Sequence, residues 1–174
     1  DLPPPVIAPN LRQIQRPIER ELRFGPYAAV SPIAGNGGSS VWIALDEPLK
    51  RNVWIVQTDE GSPPLLAERR DLRRHSRPRW VGGQRTPGSS WDAYAVPEGR
   101  ALRSIQESVT WAQIRNWFVD IVSEYRHDPS IAESLSIDRI WITSQGRAVT
   151  TDFPVSAGDE RAASIRDLFH RILH

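Results

Sequence analysis

Three glycines within four positions, Gly35, Gly37 and Gly38, sit between runs that favour extended chain, and this constrains the fold more than any other feature. Tyr27 to Ile33 leads into them, Val41 to Leu45 alternates behind them, and Val53 to Val56 follows a polar turn. A period of two with β-branched and aromatic residues predicts strands, so the stretch reads as strand, glycine loop, strand, turn, strand. Consecutive glycines let backbone N–H groups close on an anion, which makes Gly35, Gly37 and Gly38 candidate nucleotide-binding positions.

With 174 residues the chain is long enough for one domain with a sizeable core. A net charge of +1 argues against a protein dominated by nucleic-acid or membrane-surface binding. Cysteine is absent, which excludes disulfides, thiolate metal sites and cysteine nucleophiles. No apolar run approaches the roughly 18 residues that span a bilayer, so no membrane insertion is expected and a cytoplasmic location is. The chain opens on Asp1 and lacks methionine, which predicts a piece of something larger.

Pro3, Pro4, Pro5 and Pro9 predict an extended arm over residues 1–24, in which Leu11, Ile14, Ile18 and Leu22 recur at near-helical spacing around Pro17. Ser62-Pro63-Pro64 reads as a helix start, with Leu65, Leu66, Arg69 and Leu72 on one face and an end near His75. Glycines and Pro87 between Trp80 and Ser90 indicate turns, and Trp91 to Val96 alternates as a strand. Thr110-Trp111-Ala112-Gln113 is a capping box for a helix whose stripe is Trp111, Ile114, Phe118, Ile121, Val122 and Tyr125. Ile140 to Thr151 reads as a hairpin, and Ile165, Leu168, Phe169, Ile172 and Leu173 as a last amphipathic helix.

From Tyr27 to Val155 the sequence resembles bacterial serine/threonine protein kinases. The glycine loop and the following strands stand where that family has G-x-G-x-x-G-x-V and V-A-I-K, with Ser40 at the third glycine and Val56 at the lysine. Glu68, in E-R-R-D-L, matches the helix glutamate that pairs with that lysine. The run S-L-S-I-D-R-I-W-I-T-S-Q-G-R-A-V-T-T-D-F-P resembles the kinase catalytic segment. There Ser134 holds the catalytic aspartate position, Ser136 the following lysine, Arg139 the metal-binding asparagine, and Asp152-Phe153-Pro154 the D-F-G motif. The resemblance implies a two-lobed, kinase-like α+β fold: an antiparallel N-lobe over 25–97 and a reduced, mainly helical C-lobe over 98–174.

Phosphoryl transfer needs a cation on the phosphates, bound magnesium and a base for the substrate hydroxyl. Of the family's residues for those tasks only Asp152 is kept, and Lys50, the only lysine, lies in a turn. The resemblance therefore implies a pseudokinase without cofactor, a scaffold that binds a protein partner or other subunits of an assembly. Two alternatives stand beside it: an atypical nucleotide-binding domain with residual kinase activity, and an anion or nucleic-acid module using the arginines between Arg69 and Arg79. The candidate partner surface is the stripe of Ile165, Leu168, Phe169 and Ile172, since later kinase helices that would cover it are not in this sequence. His170 and His174 have i, i+4 spacing, and no G-x-S-x-G elbow is present, so neither a metal site nor a hydrolase triad is expected.

Overall fold

The computed structural model describes residues 22–36, 39–158 and 165–173. Six strands form one antiparallel sheet: β1 (Arg23–Phe24), β2 (Tyr27–Asn36), β3 (Ser39–Asp46), β4 (Arg51–Gln57), β5 (Trp80–Thr86) and β6 (Ser89–Ala95). Their order across the sheet is β1-β2-β3-β4-β6-β5, and the sheet curls into a half-barrel. β4 is central, and Val53, Trp54 and Ile55 are all buried because both of its faces are covered. On one face the curl brings β2 towards β6, so that Tyr27 meets Trp91 edge-on at 5.7 Å over Phe24, Ala44, Val53 and Ile55. On the other, Val41, Trp54 and Tyr94 pack against Phe153 and Val155 from the later part of the chain.

A single helical turn, α1 (Ala67–Arg70), lies between β4 and β5. The second half holds a small sheet of β7 (Gly99–Ala101), β8 (Ile140–Thr143) and β9 (Ala148–Thr150), with α2 (Trp111–His127) and α3 (Ile165–Leu173). Thr110 caps α2: its hydroxyl accepts from the Gln113 N–H while Gln113 returns a bond to the Thr110 N–H, as the capping box predicts. Ile114, Trp117 and Ile121 of α2 then form a core with Leu135, Ile140, Ile142, Ala148 and Leu168.

This corrects the expected two-lobed, kinase-like α+β fold. The chain is mostly β, and of the α-helices among the described residues only α2 is long, at 17 residues. The helix expected from Ser62 shrinks to one turn after Leu66, which supplies no side-chain cap, and the arginines that would extend it meet acids elsewhere. Of the turns expected between Trp80 and Ser90, the one at Pro87 and Gly88 forms and joins β5 to β6, while Trp80–Thr86 is the strand β5. Its Gly83 serves close packing: a Cβ there would stand 2.7 Å from Asp92 Oδ1 and 3.1 Å from the Trp91 carbonyl. The sheet also begins inside the expected arm, with Phe24 buried, while residues 1–21 lie outside the described residues. Among the described residues no helix is long and apolar enough to cross a membrane.

Candidate functional site

Acids and arginines from distant segments meet where the two sheets face each other. β9 delivers Asp152, and the Thr151 N–H holds the strand end by donating to the Arg139 carbonyl at 2.9 Å. Arg69 of α1 donates from Nε and Nη2 to Asp152 Oδ2 at 2.9 and 2.7 Å. Arg77 donates from Nη2 to Oδ1 at 2.5 Å, so both carboxylate oxygens are taken by guanidinium groups. Burial pushes the Asp152 carboxyl up, but the charges of Arg77 and Arg69, with their hydrogen bonds, more than offset this and hold it below the usual carboxylate value.

Behind this pair lies Glu124 of α2, fully enclosed. Ser76 donates its hydroxyl to Oε2 at 2.7 Å. Arg74 Nη2 stands 2.9 Å from Oε1 at ion-pair distance, without the alignment of a hydrogen bond, and Arg77 Nε lies at 3.6 Å. One turn earlier on the same face, Asp120 accepts from Arg147 Nε at 2.9 Å and from the Ala148 N–H at 3.0 Å. His75 Nε2 accepts from Arg147 at 2.7 Å and stands 3.4 Å from Asp120 Oδ1. Arg69 also lies 5.6 Å over the ring of Tyr94, whose hydroxyl burial pushes up to about 12. The whole network is a charged seam joining α1, the 74–79 segment, α2 and β9.

No family model matches the chain, and no curated protein matches it either.

Of the sequence-predicted residues, the seam unites Asp152 and Arg139, and Phe153 packs beside it. Arg139 donates from Nη1 to the Asp152 carbonyl at 2.5 Å. Phe153 is buried between Trp54 and Tyr94, with ring centroids at 5.8 and 5.0 Å, and Val56 packs half-buried against the same cluster. Pro154 is half-buried beside it. Glu68 points to solvent, and its neighbour Arg69 makes the pairing instead. Ser134 and Ser136 serve local backbone: Ser134 donates to the Ile131 carbonyl at 3.1 Å, and Ser136 accepts from the Asp138 N–H at 3.2 Å. Gly35 is exposed in β2, a Cβ there would make only ordinary contact with Ser40, and Gly37 and Gly38 lie outside the described residues.

On α3, Leu168 is fully enclosed in the second core, which corrects its place on an exposed stripe. Phe169 and Ile172 are half-buried, Phe169 stacking on Phe118 at 3.9 Å, and the Ile165 side chain and His174 lie outside the described residues. The arginines between Arg69 and Arg79 divide in two: Arg69, Arg74 and Arg77 answer the seam's acids, and Arg70 lies 5.8 Å over Trp80. Among the described residues no cluster of three or more His, Asp or Glu is placed to hold a metal ion.

The residues that sequence reasoning missed are Asp120, Glu124, Ser76 and Arg147. One signal was available: Asp120 and Glu124 fall four apart on the side of α2 that carries Trp117 and Ile121, where an acid must find a cation. Chemically, the seam binds its own halves together. A divalent cation approaching Asp152 would meet two guanidinium groups already on the oxygens, which oppose it electrostatically.

Proposed function

We propose that this is a catalytically inactive domain that works by binding protein, in a scaffolding or regulatory role. The single observation that carries the reading is the double clamp on Asp152. It is the only magnesium-type carboxylate kept at the positions that resemble a kinase, and both of its oxygens are occupied by Arg69 and Arg77. Val56 offers no cation to a phosphate, and Ser134 offers a hydroxyl turned to its own backbone where a base would be needed. The nucleic-acid alternative loses support because Arg69, Arg74 and Arg77 are spent on internal acids.

Thermal unfolding with magnesium-ATP tests this. A ligand at 100 times its dissociation constant stabilises by about 2.7 kcal/mol, a displacement of a few degrees in Tm for a domain of this size. The expected outcome is no magnesium-dependent shift at millimolar ATP and no phosphate transfer. A clear shift that disappears with EDTA would overturn the reading in favour of a nucleotide-binding domain.

A further inference from the structure

We propose that the outward face of α2 is a docking surface for an acidic amphipathic helix of a partner protein. The proposal rests on the protein-binding reading and gives it a place and a chemistry.

The face is built by helical spacing. Trp111, Arg115, Phe118, Val122 and Arg126 follow one another at steps of three or four residues, with Val119 four after Arg115, and so line one side of α2. Trp111 and Val119 are 61% and 60% exposed, unusual for side chains of that kind on an ordered helix. Phe118, Val119 and Val122 form the floor of a groove of about 410 Å³, with Arg115 and Arg126 at its ends. Trp111 packs edge-on against Phe118 at 6.2 Å, and Phe118 stacks on Phe169 of α3, so the floor is anchored to the second core.

Charge decides the partner. Both acids of α2, Asp120 and Glu124, point inward and are consumed by the seam. Arg115 and Arg126 point outward, and among the described residues neither has an ion pair or hydrogen bond. The exposed side of α2 therefore shows an apolar strip between two uncommitted cations. They stand eleven positions apart, about 16 Å along the axis at 1.5 Å per residue. A helix laying its own apolar ridge along the groove, with acids about three turns apart, would fill the floor and neutralise both ends. The concave floor favours side chains over a flat lipid surface, since a ridge enters a groove and a headgroup layer does not.

A labelled synthetic helix of about four turns, with leucines on one face and glutamates three turns apart, is the probe, and its scrambled isomer is the control. Fluorescence anisotropy with the full chain should show binding to the first and none to the second. The double variant Arg115→Glu/Arg126→Glu should weaken binding about tenfold or more and should recover it with a probe whose glutamates are replaced by arginines. Unchanged binding by the double variant, or failure of the swapped probe to recover it at unchanged Tm, overturns the proposal. Capture on phosphatidylserine vesicles without peptide binding would overturn it for a lipid surface. Self-association abolished by Val119→Asp would overturn it for a second copy. None of these results moves with magnesium-ATP, so failure here is distinguishable from failure of the non-catalytic reading.

Discussion

Asp120 is an acid on the core side of a helix, with a side chain only 2% exposed, and it is tolerable only because its charge is answered on every side. Burial pushes its carboxyl up, yet the hydrogen bonds from Arg147 and the Ala148 N–H, with the charge of Arg147, hold it below the usual 3.8. A carboxylate with a lowered folded pKa contributes stability that is present above its unfolded value and lost as pH falls through the folded one. Asp152 has the same sign. Denaturant midpoints should therefore hold steady at mildly acidic pH and fall steeply below about pH 4. Asp120→Asn should flatten that acid limb, and a full-sized limb in the variant would show that the network does not depress Asp120. The sequence places Asp120 on the helix but cannot say that its cation is 27 residues downstream, because an ion pair between segments leaves no period behind.

Elements whose formation is decided locally were legible. The capping box at Thr110 and the hairpin of β8 and β9 appear where their residues predict them, because caps, turns and alternation act within a few positions. α1 and β5 were misread where tertiary demands outweigh local ones. In α1 the arginines beyond Arg70 leave the helix for Glu124 and Asp152, and in β5 the glycines that signal a turn are there to let Asp92 and Tyr27 approach. Gly99, at the start of β7, carries a similar constraint in sharper form. Its φ is +148°, a Cβ would collide with the Ile142 carbonyl, and Thr143 Cα stands only 2.7 Å from the same point. Gly99→Ala should cost about 2–4 kcal/mol, from strain at the backbone and separation of β7 from β8. A guanidinium midpoint within error of the parent would refute that account. Since β7 is part of the small sheet packed by α2, the loss should also reduce protection of β8 amides from hydrogen exchange.

For the molecule as a whole, the question is whether the six-stranded sheet and the helix-bearing second half form one folding unit. The kinase resemblance misled here: the hairpin ahead of Asp152 and Phe153 forms as its own alternation predicts, but the resemblance carried a helical lobe that the residues do not build. What the second half supplies to the first is an aromatic plug. Trp54 of β4 meets Trp141 of β8 at 5.1 Å and Phe153 at 5.8 Å, both edge-on, and Tyr94 of β6 lies 5.0 Å from Phe153. The charged seam runs alongside, so apolar burial and ion pairing join the same two surfaces. Coupling of that kind predicts a single cooperative transition, with helix ellipticity, mainly from α2, and tryptophan emission, four of whose seven sources lie in the large sheet, falling together. Phe153→Ala empties the centre of the plug and should cost about 3–5 kcal/mol, the range for a large aromatic removed from a core. If the plug is what couples the halves, the two probes should then separate, the helix signal moving to a different midpoint from the tryptophan signal. Coincident transitions in the variant, displaced by less than about 1 kcal/mol, would mean that the halves are joined elsewhere and that Phe153 merely fills space.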